Sequence, residues 1–267
     1  MLSEKLGELV TPEIATSILA TKRERVLLSC EPANSLGLVV SKAGGRGYLP
    51  KKMEYPKNED GTPLTLLAQI NFSEMPNLEC FPKTGLLAFY HDYLDDLTGL
   101  DFDDQTKQNG FRVLYFETVD EPSYSVEEQD ALFESVDEAG VPVVDGEFCL
   151  RGVLAEQVIL KDSYDFEKAY GGSFYELLDD WTGEDERKID SLYELDSSSS
   201  QLGGYPFFTQ EDPRLGEEKA YHDTLLFQLD SDDNIMWGDM GVGNFFINLE
   251  DLKRKDFSNV LYNWDCY

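Results

Sequence analysis

The chain has 267 residues, and its 53 Asp and Glu residues against 22 Lys and Arg residues give a formal net charge of −31. A surface this negative repels phosphate, which argues against a nucleic-acid partner and against an anionic membrane, whereas a basic protein would be attracted to it. Because hydrophobic residues still make up 41% of the chain, the acidity does not indicate disorder, and we expect a folded core.

Four segments carry helix signals. Thr11 and Pro12 suit the N-cap and first position of a helix, and Ser125 with Glu128 has the spacing of a capping box. Gly171 must weaken or break the helical segment that contains it. The predicted helices lie at 11–22, after Ser125, from Asp165 through Trp181, and at 249–254 with Asn248 as the cap.

Runs of β-branched, aromatic and aliphatic residues predict strands between these helices. The predicted strands lie at 26–30, 36–41, 64–70, 85–91, 111–117, 225–229, 241–246 and 260–267, and residues 141–156 are predicted to be a strand or extended chain.

Two parts of the chain are similar at a fixed spacing. Gly44-Gly45 precedes LLAQI at 66–70, and Gly203-Gly204 precedes LLFQL at 225–229, an offset of 159 residues in both cases (203 − 44 and 225 − 66). A later match, between GLLAFY and GVGNFF, has an offset of 156 residues (241 − 85). We therefore expect an α+β fold in which a unit of mostly antiparallel β-sheet with peripheral helices is duplicated about a pseudo-two-fold axis.

The expected organisation is one compact fold in four parts. These are an N-terminal helix and strands that pack on the core (1–40), a first repeat unit with helical insertions (41–181), a polar linker (182–200) and a second repeat unit (201–267).

The stretch DSDDN, which begins at Asp230, raises the question of a calcium site. An EF-hand loop that begins there needs Gly at its sixth position and Glu at its twelfth, but the chain has Ile235 and Gly241. We favour the interpretation that these residues link two strands, since Asp, Asn and Gly suit turns. A looser calcium site through Asp230, Asp232 and Asp239 is the alternative; our prediction is no metal.

No catalytic constellation is evident. Each of the two histidines, His91 and His222, is followed by an aspartate, but neighbouring residues on a strand point to opposite faces, so we expect surface or edge histidines. Neither glycine pair has the spacing of a phosphate-binding loop. We predict no catalytic residues and no cofactor.

The candidate binding surface consists of Gln69, Gln228, Tyr205, Trp237 and Asp239. The two glutamines occupy equivalent positions in the repeat. Aromatic residues near glycines are common at protein interfaces, and they are equally common as loop anchors in small cores. A simpler interpretation of the glutamines, which we favour, is a structural hydrogen bond repeated in both units.

An acidic tract lies between the strands at 85–91 and 111–117. A solvated loop is the ordinary interpretation, and attraction of Lys or Arg residues on a partner is the functional one. Its aspartates are Asp92, Asp95, Asp96, Asp101, Asp103 and Asp104.

The sequence also predicts a cytoplasmic protein. No apolar run approaches the roughly 20 residues that span a bilayer, and the first residues, MLSEKLGELV, lack the continuous apolar core of a secretory signal. We expect reduced thiols at the scattered cysteines, which include no CxxC pair and predict no zinc site. They are Cys30, Cys80, Cys149 and Cys266.

Several motifs together resemble the YwqG-like family of bacterial proteins. They are GGRGYLP, GTPLTLLAQINFSEMP, KTGLLAFY, GGYPFFTQEDPR, LLFQLDSDDNIMWGDMG and DFSNVLYNWDCY, which begin at residues 44, 61, 83, 203, 225 and 256. The resemblance covers most of the chain from about residue 40 and implies a duplicated unit with antiparallel sheets. It implies no catalytic residues, because the family is a domain of unknown function. Relatives are similar to programmed-cell-death-type proteins that act as ribosomal-protein chaperones, and members occur near toxin–immunity gene clusters.

We therefore predict a non-enzymatic cytosolic protein-binding module, chaperone- or immunity-like, that captures a basic protein segment. The alternative is a small hydrolase or other enzyme that uses a carboxylate cleft, with or without a divalent metal.

Overall fold

The computed structural model describes residues 2–33, 35–134, 136, 140–196, 198–215 and 220–267. Within these ranges the helices are α1 (Leu2–Leu9), α2 (Pro12–Ala20), α3 (Val126–Phe133), α4 (Tyr164–Tyr170), α5 (Phe174–Thr182), α6 (Glu186–Tyr193) and α7 (Leu249–Arg254). The strands are β1 (Arg23–Pro32), β2 (Lys42–Gly44), β3 (Thr65–Asn71), β4 (Leu86–His91), β5 (Phe111–Phe116), β6 (Glu147–Gln157), β7 (Gln201–Gly203), β8 (Thr224–Asp230), β9 (Val242–Ile247) and β10 (Val260–Asp265).

Local capping signals explain where several helices begin and end. Ser125 and Glu128 form the predicted capping box at α3, and Asn248 caps α7 through the backbone N–H of Glu250. Gly171 adopts a left-handed conformation that ends α4, so the predicted break between α4 and α5 is confirmed. No helix in the described ranges is both long and apolar enough to cross a bilayer.

The ten strands form a single antiparallel sheet in the order β10-β9-β8-β7-β1-β6-β2-β3-β4-β5. The long strands β1 and β6 lie at its centre, and β5 and β10 are its two edges. The mostly antiparallel sheet with helices beside it confirms that part of the predicted fold class.

The sheet curves so that its two ends pack against each other. The ring of Phe89 on β4 lies 4.7 Å, centroid to centroid, from the rings of both Phe227 on β8 and Phe245 on β9. At the edges, the rings of Phe111 on β5 and Tyr262 on β10 are 5.0 Å apart. These aromatic contacts form the main core, and buried aromatic pairs add about 1 kcal/mol each beyond the apolar area that they bury.

A second hydrophobic cluster joins five of the helices to the segment that directly follows β6, residues 158–160. Leu6 of α1, Ile18 of α2, Phe166 of α4, Leu178 of α5 and Leu192 of α6 are all buried in it. Helix α6 lies within the segment that the sequence predicts to be a polar linker, and α1 was not predicted. Both are short, mostly polar helices held by one buried leucine each, which gives a weak sequence signal.

The strand predicted at residues 36–41 is wrong, because residues 38–40 form a turn and a bend and the others have no regular structure. The side-chain amide of Gln69 donates hydrogen bonds to the carbonyl oxygens of Leu38 and Val40 at 2.8 and 2.6 Å. The buried side chain of Gln69 thus supplies the hydrogen bonds that the backbone N–H groups of a neighbouring strand would otherwise donate to these carbonyls.

Several hydrogen bonds recur 159 residues later in the chain. Gln69 accepts from the backbone N–H of Tyr48, as Gln228 does from that of Phe207. The backbone N–H of Asn71 donates to the hydroxyl of Ser41, as that of Asp230 does to Ser200. The ladders β3–β4 and β8–β9 also share a register shift, between Leu66 and Ala68 and between Leu225 and Phe227.

Candidate functional site

Four of the five residues predicted to form a binding surface lie inside the protein. Gln69, Gln228 and Trp237 are at most 1% exposed and Tyr205 is 7% exposed, whereas Asp239 is exposed. The structure therefore does not bring these residues together on a surface, which corrects the sequence-based prediction.

Each buried member of that set is occupied by internal contacts. The amides of both glutamines are hydrogen-bonded to backbone groups. The hydroxyl of Tyr205 donates to the carbonyl of Thr21 at 2.6 Å, and the guanidinium of Arg23 lies 4.4 Å above its ring. Trp237 packs on Trp264 with ring centroids 6.0 Å apart. The hydrogen bonds of the two glutamines and of Tyr205 serve the fold, whereas the buried indole N–H of Trp237 has no hydrogen-bond partner among the described residues.

The prediction of surface or edge histidines is also wrong, because His91 is 1% and His222 is 5% exposed. Burial lowers the pKa of His91 to about 3. It also lowers the pKa of His222, whose Nε2 lies 3.2 Å from the side-chain oxygen of Asn259, a contact that opposes the shift.

The aspartates beside the histidines have other partners. Asp92 accepts hydrogen bonds from the amide of Asn58 and the backbone of Leu94. Asp223 accepts from Thr224 and from the backbone N–H of Leu249. The two His-Asp sequence pairs therefore do not form the coupled base that a hydrolytic site requires.

The residues from Ser231 to Gly241 link β8 to β9, so the interpretation of DSDDN as part of a strand connection is confirmed. The carboxylate of Asp232 accepts from the backbone N–H groups of Asn234 and Ile235, which stabilises the turn. In the described ranges, no group of three or more His, Cys, Asp or Glu residues is placed to hold a metal ion.

The acidic tract after β4 instead borders an open cleft of about 660 Å³ beside the edge strand β10. We call it the β10 cleft. It is lined by Asp96, Leu97, Phe102, Gln105, Gln210, Glu211, Pro213, Asn263, Trp264, Asp265 and Cys266. Its size is within the range of ordinary ligand pockets.

One part of the β10 cleft is apolar. The side chain of Phe102 is 68% exposed and that of Leu97 is 40% exposed, while Trp264 is half-buried between the cleft and the core. The indole N–H of Trp264 donates to the carbonyl of Leu97 at 2.6 Å, which fixes the loop against the strand. Exposed aromatic rings in a cleft are typical of protein-binding anchors.

The other part of the cleft is acidic. Asp96 and Glu211 are exposed, and Asp265 is buried with its carboxylate held by the backbone and hydroxyl of Thr209 and the backbone of Gln210. Burial raises the pKa of Asp265 above its ordinary value, and these hydrogen bonds oppose the shift. Three acidic residues thus line the β10 cleft together with the apolar ones.

Internal hydrogen bonds order the loop that carries Phe102. The carboxylate of Asp101 accepts from the backbone N–H groups of Asp103 and Asp104. Asp104 accepts from the backbone and hydroxyl of Thr106, which lowers its pKa. The ring of Phe102 is therefore presented to solvent by a loop with its own turn structure.

The sequence identified the acidic tract but not the cleft. A signal was available in the stretch DFDD, where one phenylalanine interrupts a run of aspartates. The lining residues on the other side of the cleft, such as Glu211 and Trp264, are more than 100 residues away in the chain, so only the folded sheet brings them to Phe102.

A family model described as a domain of unknown function, DUF1963, matches residues 41–266. The matched range includes both glycine pairs and every residue that lines the β10 cleft. A comparison with curated proteins finds no match.

Proposed function

Because this chain belongs to the DUF1963 family of domains of unknown function, we propose its role from its own surface: it is a protein-binding module whose β10 cleft captures a basic segment of a partner protein. The observation that carries the proposal is the combination, in one cleft, of the exposed ring of Phe102 with the carboxylates of Asp96, Glu211 and Asp265. Apolar anchors supply affinity, and surrounding charges select the sign of the partner.

The charge of the whole chain supports this direction of recognition. A net charge of −31 raises the local concentration of cationic segments around the protein and repels nucleic acids and anionic membranes. Within this proposal the partner is a basic protein, and the setting is the cytoplasm, where the free cysteines would stay reduced.

We further propose the finer YwqG-like assignment, on the motifs quoted above, and with it a chaperone- or immunity-like role. The proposal includes a duplicated unit with pseudo-two-fold symmetry. The hydrogen bonds of Gln69 and Gln228 that recur at one offset support it, as does a strand order with five strands on each side of the boundary between β1 and β6. The unit boundaries at 41–181 and 201–267 stay predictions.

The hydrolase alternative has no comparable support. In the described part of the chain, neither His91 nor His222 lines the β10 cleft, so its carboxylates have no adjacent imidazole to act with.

The proposal is tested by binding of a fluorescent peptide of alternating lysine and valine at low salt. The double variant Asp96→Lys with Glu211→Lys should weaken binding about tenfold, because each reversal replaces an attraction near the peptide with a repulsion. Raising the sodium chloride concentration should weaken binding to the unaltered protein as well.

The matched control is the double variant Glu8→Lys with Asp190→Lys. These two residues are exposed on α1 and α6 and do not line the β10 cleft. Their substitution changes the net charge by the same amount as the substitutions in the cleft. We expect a loss of about twofold or less for the control. Equal losses for the two double variants would show attraction to total charge only and would overturn the proposed site.

A further inference from the structure

Strand β10 is an edge of the sheet, and its outer side is only partly covered. Its inner side pairs with β9 from Val260 to Asp265. On the outer side, the backbone N–H of Tyr262 donates to the carbonyl oxygen of Gln105 at 2.9 Å. A loop residue thus takes the place of a neighbouring strand at that position.

The next outward-facing position on this edge is Trp264. Backbone groups of successive residues on a strand point alternately to its two sides. Since the N–H of Tyr262 points away from β9, the N–H and C=O of Trp264 point away from β9 too. Within the ranges that the structure describes, no loop or turn backbone hydrogen bond involves Trp264. Among the described residues, the outward N–H and C=O of Trp264 are therefore available to pair with another strand, and Trp264 lines the β10 cleft.

The two faces of the sheet at this edge differ in chemistry. Trp264 and Asp265 point to opposite faces because side chains alternate along a strand. On the face of Trp264 lies Leu97, whose carbonyl oxygen accepts from the indole N–H, while Gln105 of the same loop donates to Asn263 on the opposite face. On the face of Asp265 lie Thr209 and Gln210, which bind its carboxylate and precede Glu211.

We propose that the β10 cleft binds its partner by strand addition. An extended segment pairs with the outward N–H and C=O of Trp264, places apolar side chains beside Trp264 and Leu97, and places basic side chains toward Asp265 and Glu211. The recognised sequence alternates apolar and basic residues, because neighbouring residues of an extended segment meet opposite faces. This inference rests on the proposed function and adds the mode of recognition and the pattern that is read.

Charge complementarity favours a basic segment, rather than a second copy of the chain, as the partner that binds at the β10 edge. Edge strands readily pair with a second copy of the same chain, but two chains of net charge −31 repel each other. A segment with lysine or arginine at every second position reduces that repulsion and offers cations to the exposed carboxylate of Glu211.

The test uses the full chain and three forms of the alternating lysine-valine peptide. One form is unmodified, one is N-methylated on the lysines, and one is N-methylated on the valines. N-methylation leaves the side chains and their charges in place but removes backbone donors and adds bulk on one edge of the extended peptide. Only one of the two methylated sets faces β10, so we expect one methylated peptide to bind about tenfold more weakly and the other to bind like the unmodified peptide.

The outcomes separate strand addition from capture in general. If both methylated peptides bind as tightly as the unmodified one, the cleft captures charge and apolar groups without backbone pairing, and strand addition is wrong while the proposed function stands. If none of the three binds, the proposed function at this cleft fails with it. A peptide of the same composition with the lysines and valines in two blocks should bind more weakly than the alternating one; equal binding would contradict the alternating pattern.

A second readout is the backbone amide of Trp264 in the ¹⁵N-labelled chain. Peptide binding should shift its NMR signal and slow its hydrogen exchange, because the amide gains an acceptor. Saturation with peptide that leaves this amide unchanged would overturn the pairing. Size-exclusion chromatography of the chain alone should give a monomer that the peptide does not dissociate; a dimer that the peptide breaks would assign the edge to a second copy.

Discussion

His91 shows at the scale of one residue how burial changes the chemistry of a side chain. It ends β4 and is 1% exposed, with its ring centroid 6.2 Å from that of Trp237. Its Nδ1 has no hydrogen-bond partner in the described part of the structure. Nothing there stabilises the imidazolium, so burial depresses the pKa to about 3.

This depressed pKa predicts a loss of stability in acid. The unfolded chain protonates His91 near pH 6.5, whereas the folded protein keeps it neutral down to about pH 3, so the stability falls as the pH falls through that window. At pH 5 the loss from this one residue is about 2 kcal/mol. We expect the free energy of unfolding of His91→Phe, relative to that of the unaltered chain, to increase by about 2 kcal/mol between pH 7.5 and pH 5. Urea unfolding of both proteins at the two pH values measures this difference.

The comparison of the two proteins cancels the titration of the carboxylates and of His222, which both proteins share. A difference in unfolding free energy that stays constant across this pH range would contradict the burial of a neutral imidazole.

At the scale of one element, the last residue of β2 depends on the absence of a side chain. Gly44 has a φ of 69°, and a Cβ atom there would collide with the carbonyl oxygen of Gly146 and lie 2.8 Å from Val144. Gly61 has a similar φ of 84°, but no heavy atom lies within 4 Å of its Cβ position. The two glycines share a backbone conformation and differ in their surroundings.

Alanine substitutions at these two positions should therefore differ in cost. Gly61→Ala carries only the left-handed backbone strain, about 1 kcal/mol. Gly44→Ala adds a clash with main chain that cannot rotate away, for a total of about 3 kcal/mol or more. The check is chemical denaturation of both variants at neutral pH. Equal losses would mean that the segment at 144–146 does not pack on β2 as described.

At the scale of the whole molecule, the net charge of −31 opposes the compact state through mutual repulsion of the carboxylates. Much of this repulsion acts over distances longer than the roughly 8 Å screening length of physiological salt. The fold withstands it through the aromatic contacts between the two ends of the sheet, such as Phe89 with Phe227 and Phe245.

Stability should consequently increase with sodium chloride. We expect Tm to rise by several degrees between low salt and about 0.3 M, because the salt screens repulsion in the folded state more than in the expanded unfolded chain. The double variant Glu8→Lys with Asp190→Lys carries less net charge and should show a smaller rise in Tm. A Tm that is independent of salt, or that falls, would mean that self-repulsion does not limit the stability.

Short-range sequence signals predict many of the secondary-structure elements. The capping residues Ser125 and Asn248 located α3 and α7, because a cap involves only residues a few positions apart. Residues 36–41 misled the strand prediction, since the group that satisfies their carbonyls, Gln69, lies about 30 residues further along the chain. The helices α1 and α6 were missed because their stability comes from packing on other elements.

The sequence by itself determined the net charge of the molecule, most of the strands, the capped helices and the spacing of the similar segments, because composition and short-range patterns carry that information. Only the tertiary structure decided which polar and aromatic residues are exposed to solvent. Trp237 and Phe102 are both aromatic residues in aspartate-containing loops, yet the first is buried and the second is 68% exposed. Their exposure depends on what packs against each loop from distant parts of the chain, and no local pattern records those contacts.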